Sequence, residues 1–261
     1  MKTLSFEKKQ ILITVKTYPH PSYSYGETVC CAGADINTYQ WVRLYPIPYR
    51  DLDRDKKFRK YSIIEAECAK ASDDKRPESY RVRAESIRIL DHLDTRDGWE
   101  KRKAIVSRLP VMSLCQLIRE SQENEISLGI IKPEGISFEF SRRPPSKPGT
   151  REACYAQLGF FNRKKDVVEE IPYIFYYIFR CASESACAGH KLSIMDWEIG
   201  QAFRDWRQTY PDERVLLQKI KERWLKNADT TVKDVYFYVG NMHRLRDVFL
   251  ILGVFYPPLI A

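Results

Sequence analysis

The feature that most limits what this chain can fold into is its first third, which is written in short strand-length segments punctuated by turn residues and prolines. Residues 11–17 (ILITVKT) are β-branched and end at Tyr18-Pro19-His20-Pro21, where two prolines bring no N–H to a ladder. Residues 28–34 and 40–45 are β-rich and flank Asp35-Ile36-Asn37-Thr38-Tyr39, whose Asp, Asn and Thr are turn formers, so the spacing predicts a hairpin. Residues 61–69 and 80–90 read as a second strand pair across the polar stretch 72–77, and Tyr80-Arg81-Val82-Arg83-Ala84 alternates. The pattern over residues 11–95 predicts a small, strongly curved β-sheet or barrel.

Helical spacing begins at residue 99. Residues 99–109 read as one helix with Asp97 as cap, halted by Pro110, and residues 113–120 continue with Leu114, Leu117 and Ile118 on one face. Two strands follow, 127–132 and 136–142. Then Arg142-Arg143-Pro144-Pro145-Ser146-Lys147-Pro148-Gly149 breaks both helix and sheet and marks a domain boundary or a long loop. Beyond it come an aromatic strand at 173–181, a strand at 191–195 and a helix from Trp197 that Asp196 caps. A helix to about Asn227 and a hairpin of 235–239 with 248–255 complete the chain. The expectation is an α+β fold, with a β-rich domain carrying a helical insert at 1–142 and a mixed α/β domain at 150–261.

Forty-three Lys and Arg against 35 acids give a formal charge of +8, which favours polyanionic partners through phosphate neutralisation. The seven cysteines are an odd set behind a polar start (residues 1–10), which reads as reduced thiols in the cytoplasm rather than a disulfide framework. No apolar run reaches the length of a membrane helix, so no membrane partner is expected.

Thr28-Val29-Cys30-Cys31-Ala32-Gly33-Ala34-Asp35 followed by Trp41-Val42-Arg43-Leu44-Tyr45-Pro46 resembles the opening hairpin of the prokaryotic dual OB-domain proteins. In those proteins a Cys-x-Ala-Gly strand turns into a Trp-Ile-Arg strand, and Cys30, Ala32, Gly33, Trp41 and Arg43 match. The resemblance implies an OB-like barrel at the N-terminus and a setting among conflict or defence systems. OB barrels often bind oligonucleotides on one face. The chain departs from that pattern in its longer turn, its Tyr45-Pro46-Ile47-Pro48 exit and the sequence after residue 95.

The densest functional signal is charge. Arg142, Arg143, Lys147, Arg151, Arg163, Lys164 and Lys165 face only Glu152 between residues 141 and 165, with Tyr155, Phe160 and Phe161 among them. Guanidinium forks grip phosphates and aromatic rings stack on bases, so this mixture suits a nucleic-acid strand, DNA or RNA. A solvated loop is the plainer alternative. A second tract, residues 50–60, mixes Arg50, Arg54, Lys56, Lys57, Arg59 and Lys60 with three aspartates. From the two tracts and the hairpin, Arg43, Arg50 and Lys57 join the expected binding residues.

Cys181, Cys187 and His190 form C-x5-C-x2-H, which is wider than the usual spacing of structural zinc pairs. Two buried thiols and a loop histidine account for it, so no metal and no cofactor is assigned. Asp196 and Glu198 follow a strand end, as metal-holding carboxylates do in nucleases, yet a helix cap and a first-turn acid explain them as well. Phosphate loops, dinucleotide fingerprints, nucleophile elbows and His-Glu-x-x-His are absent from the sequence. The expected function is therefore a non-catalytic nucleic-acid-binding component of a defence or conflict system. A metal-dependent nuclease using Asp196 and Glu198, and a protein-interaction subunit with a basic face, are the alternatives.

Overall fold

The structure, a computed structural model, describes residues 5–22, 26–144, 168–242 and 245–259. The chain first runs through β1 (Glu7–Lys16), β2 (His20–Ser22), β3 (Gly26–Asp35), β4 (Trp41–Ile47), β5 (Ser62–Lys70), β6 (Ser79–Val82) and β7 (Arg88–His92). β1 pairs antiparallel with both β3 and β5. β4 pairs antiparallel with β3 and parallel with β6, and β6 returns to β5. The ring β1-β3-β4-β6-β5 is a closed five-stranded β-barrel, consistent with an OB-like fold. The hairpin predicted from the Cys30–Arg43 motif is present, with Ala34 opposite Trp41.

Alternation decides which side chains enter the barrel. Ile11 and Ile13 of β1 pack inside with Val29, Cys31, Val42, Leu44, Ile64 and Cys68. Leu12 and Val15 point the other way, with Ala32, Ala34 and Trp41. Strict alternation would put Val15 beside Ile13. A register shift between Ile13 and Val15 moves it to the outer face, which is the re-aiming a β-bulge performs. Gly33 sits where β1 and β3 come closest: a Cβ there would lie 1.9 Å from the Leu12 carbonyl oxygen, so the glycine of the motif is a packing requirement.

The expected strand at 80–90 is two strands, because a 3-10 turn at Ala84–Ser86 separates β6 from β7. Helix α1 (Arg96–Val106) differs from expectation at its start. Asp97, Gly98 and Trp99 have φ of 53°, 60° and 67°, so the chain makes a left-handed turn before the regular helix, and Asp97 is not its cap. Left-handed backbone is costly for a bulky residue such as Trp.

The second half contains β8 (Val111–Met112), α2 (Leu114–Glu123), β9 (Leu128–Ile131), β10 (Pro133–Arg142), β11 (Tyr173–Cys181) and β12 (His190–Ser193). It continues with α3 (Trp197–Thr209), α4 (Glu213–Asn227), β13 (Tyr236–Met242) and β14 (Leu245–Phe255). One sheet has the order β14-β13-β9-β8 and another β10-β11-β12. The alternating stripe Tyr173, Phe175, Tyr177 and Phe179 is a core face, and Tyr177 stacks on Phe237 at 4.8 Å between centroids. The boundary expected at 142–150 does not divide the sheets, since β9 pairs with β13 and β10 with β11. Strand pairing places residues from β8 onward with the second unit.

The outer face of β1, β3 and β4 packs against this unit, where Leu12, Val15, Ala32 and Trp41 meet Leu128, Tyr238 and Leu252. Burial on both faces explains why β1 reads as a continuous apolar run. A buried polar set sits in the same seam. Arg43 donates to the Ser127 carbonyl at 2.9 Å and hydroxyl at 3.1 Å, while the Glu78 carboxylate accepts from the Ser127 amide at 2.9 Å and hydroxyl at 3.0 Å.

Candidate functional site: a cationic aromatic cleft at the barrel rim

OB barrels usually bind oligonucleotides on the face of their second and third strands. The equivalents here, β3 and β4, are covered by the second unit, with Ala32, Ala34 and Arg43 all buried. What stays open is a cleft of about 310 Å³ at the rim between the two units. Lys16 reaches it from the end of β1, Arg59, Lys60 and Tyr61 from the turn before β5, and His92 from the end of β7. Trp99 and Arg102 of α1, Trp197 and Glu198 of α3, and Tyr256 after β14 complete the wall.

Each side chain is set by local structure. Tyr61 has φ of 64°, and its backbone links the rim, with the Leu93 amide donating to the Tyr61 carbonyl at 2.9 Å. The left-handed turn at residues 97–99 carries Trp99 to the cleft, where Tyr256 lies 4.9 Å from its ring. The Arg102 guanidinium rests over Tyr61 at 3.8 Å and its Nε donates to the Leu93 carbonyl at 2.8 Å. The Lys16 ammonium lies over Tyr49 at 4.2 Å and over Trp197 at 4.4 Å. Such cation–π contacts fix the cations while leaving their charge uncancelled.

Lys60 differs. Its ammonium bonds Asp196 at 2.8 Å and Glu198 at 3.2 Å, and Asp196 also accepts from the Glu198 amide at 3.2 Å as the cap of α3. Burial opposes the Lys60 charge, but the two carboxylates outweigh it and raise its pKa. Burial raises Asp196, with Lys60 pulling it back only in part, and Lys60 lowers Glu198. The predicted cap is present, and the ammonium occupies the space between the two carboxylates where a nuclease would hold its metal.

Lys16 and Arg59 make no ion pair among the described residues, so the cleft keeps positive charge beyond what Glu198 offsets. Burial, followed by the nearby Lys60, lowers Lys16, while burial together with Arg59 and Arg102 lowers His92. Tryptophan faces beside uncancelled cations can hold a planar, anionic ligand. A second depression of about 480 Å³ between α3 and α4 is lined by Trp206, Tyr210, Lys219, Arg223 and Lys226; Lys219 there is bonded to Glu222 at 2.9 Å, and Arg223 and Lys226 make no ion pair among the described residues.

The residues expected from sequence are scattered. Arg43 is buried in the seam and committed to Ser127. Arg50 bonds Glu27 at 2.7 Å, and Lys57 is exposed. Arg142 is exposed at the end of β10, and Arg143 donates to the Ile171 carbonyl at 3.1 Å with Glu170 at 3.9 Å. Lys147, Arg151, Tyr155, Phe160, Phe161, Arg163, Lys164 and Lys165 lie outside the described residues. Sequence reasoning met Arg59 and Lys60 only as part of the tract diluted by aspartates, and missed Lys16, Trp99, Arg102 and Trp197. The one signal for them was a lysine ending an apolar strand and a tryptophan just after a helix cap.

One group among the described residues has metal-ligating chemistry at close range, and it lies away from the cleft: Cys115, Cys181, Cys187 and His190.

No helix among the described residues is long and apolar enough to cross a membrane. No curated protein matches the chain. Residues 7–108, which include the barrel, match a domain of unknown function, DUF8758. That match stops where the strand pairing changes units. Residues 110–261 match a second domain of unknown function, DUF8757, over more than half of the chain, and the protein belongs to that family.

Proposed function

We propose that this protein binds nucleic acid without cutting it, seating a nucleotide of the strand in the rim cleft. The observation that carries the reading is the pairing of Lys16 and Arg59, which have no ion-pair partner among the described residues, with the rings of Trp99 and Trp197. Cations meet phosphate and tryptophan faces meet a base, a combination that is sequence-tolerant and common to single-strand binders. The cleft volume falls within the range of about 300–1,000 Å³ seen for small-ligand pockets. The basic segment from Arg142 to Lys165 would extend phosphate contact along the strand. The resemblance of the Cys30–Arg43 hairpin to dual OB-domain proteins gives the proposal its setting, a recognition component of a prokaryotic defence or conflict system in the cytoplasm.

The test is binding of the full chain to short single- and double-stranded DNA and RNA across a salt series. Affinity should fall linearly in log–log form as salt rises, by counterion release. Failure to bind any oligonucleotide at low salt would leave the protein-interaction reading in its place. Cleavage dependent on a divalent cation would replace it with the nuclease reading, against the Lys60 bonds to Asp196 and Glu198.

A further inference from the structure

Outside the lining of the cleft, four side chains from two distant stretches of sequence converge. Cys115 lies in the first turn of α2, Cys181 ends β11, Cys187 lies in the loop that follows, and His190 begins β12. Their ligating atoms all lie within 4.8 Å of one another. The His190 Nε2 is 3.4 Å from the Cys115 sulfur, 3.4 Å from that of Cys181 and 3.2 Å from that of Cys187. Hydrogen bonding does not account for this. A single imidazole nitrogen either donates one proton or accepts one, so three sulfurs cannot all be satisfied by it. A common central ion explains all three distances. With metal–sulfur and metal–nitrogen bonds of about 2.3 and 2.0 Å, a tetrahedron has sulfur–nitrogen edges of roughly 3.5 Å.

The surroundings suit thiolates. The Leu114 amide donates to the Cys181 sulfur at 3.2 Å, and the Cys181 amide to the Cys187 sulfur at 3.4 Å. Cys115 sits at the positive end of the α2 dipole, where an anion is favoured. Ser113 caps that helix by accepting from the Gln116 amide at 2.9 Å, and its hydroxyl bonds Glu184 of the Cys181–Cys187 loop at 2.9 Å. Ligand-bearing helix and loop are thus tied together by contacts outside the ligand set, as in supported metal sites. Three sulfurs and one nitrogen fill a tetrahedral shell with no position left for substrate, and that donor set selects zinc among common divalent ions.

We propose that Cys115, Cys181, Cys187 and His190 form a closed, structural Zn²⁺ site that pins α2 to the β11–β12 hairpin. Binding releases the protons of three thiols, and neutral His190 gives its Nε2 lone pair. The site goes beyond the nucleic-acid proposal and does not depend on it.

The experiment is metal analysis of the full chain, purified without chelator and freed of any histidine tag, followed by cobalt substitution. The expected result is one zinc per chain, and on exchange the intense visible bands and sulfur-to-cobalt charge transfer of a tetrahedral thiolate site. Cys115→Ser and Cys187→Ser should lose the metal. Cys30→Ser, a thiol outside the cluster, should keep it, and His190→Cys should keep it with a shifted cobalt spectrum. Removing the metal from the native chain should lower its melting temperature. A native chain carrying less than a tenth of an equivalent of zinc, or carrying iron instead, overturns the proposal, and so does full zinc retention in Cys187→Ser. Should the serine variants fail to fold, the stoichiometry and cobalt spectrum of the native chain decide alone.

Discussion

The seam and the cleft both bring charged side chains to the boundary between barrel and second unit, and they do so to opposite ends. In the seam, Arg43 and Glu78 are buried and both bond Ser127, which links them across the boundary. In the cleft, Lys60 is matched by Asp196 and Glu198, but Lys16 and Arg59 beside it make no ion pair among the described residues. Charge density alone would rank the two alike. The difference lies in what each cation still lacks: the seam has spent its charge on joining two units, and the cleft has charge left for a ligand.

Breaking the seam should have the largest effect. Arg43→Ala removes two bonds to Ser127 and leaves its buried carbonyl without that donor, and hydrogen bonds to a charged group are worth about 1.5–3 kcal/mol each. Urea denaturation measures it, with Arg59→Ala as the comparison at within about 0.5 kcal/mol. Equal losses from the two variants would erase the distinction between seam and cleft. Next in size is the aromatic part of the cleft. Trp99→Gly removes the ring while fitting the left-handed backbone at φ of 67°, so the fold should survive. Oligonucleotide binding at fixed salt should weaken by about 1–3 kcal/mol, the value of one stacked base. Unchanged affinity with the fold intact would remove stacking from the account.

A smaller effect is expected at the seam's edge in acid. Arg76 donates to the Asn241 carbonyl at 3.3 Å and to Asp74 at 2.6 Å, joining the two units. Burial pushes the Asp74 carboxyl up, but Arg76 and Ser79 outweigh it and hold Asp74 well below the ordinary carboxylate range. A depressed carboxylate contributes stability that is full above its unfolded value near 3.8 and is lost as pH falls from there toward the folded value. Asp74→Asn should therefore cost about 1.5 kcal/mol at neutral pH, the worth of a hydrogen bond to a charged group, and the gap should close in acid. A gap that stays constant with pH would assign the loss to packing.

How far the sequence foretold this follows the range over which each feature is encoded. The Cys30–Arg43 hairpin was legible because alternation and turn residues are local, and the Asp196 cap because it acts on the amide of Glu198, two residues on. The 142–150 break was visible, but its prolines said nothing of which strands pair across it, and β9 pairs with β13 more than a hundred residues later. Arg43 looked exposed by type, while only the packing of Ser127 against it reveals a buried strut. The cleft is assembled from five separated stretches of chain, none distinctive alone. The Cys181-x5-Cys187-x2-His190 spacing is incomplete in the local sequence, because the fourth member of the cluster, Cys115, reaches His190 across 75 residues.

The central claim is that the cleft cations, rather than net charge, meet phosphate. The most direct measurement is the salt dependence of oligonucleotide affinity for the native chain, for Lys16→Gln/Arg59→Gln, and for Arg83→Gln/Lys219→Gln. The last pair are cations already bonded to Glu67 at 2.5 Å and Glu222 at 2.9 Å. Each lost phosphate contact lowers the slope by about one unit. The account predicts a fall of about two units for the cleft pair and little change for the paired cations. Equal slopes in all three proteins, or equal losses from both pairs, would contradict it.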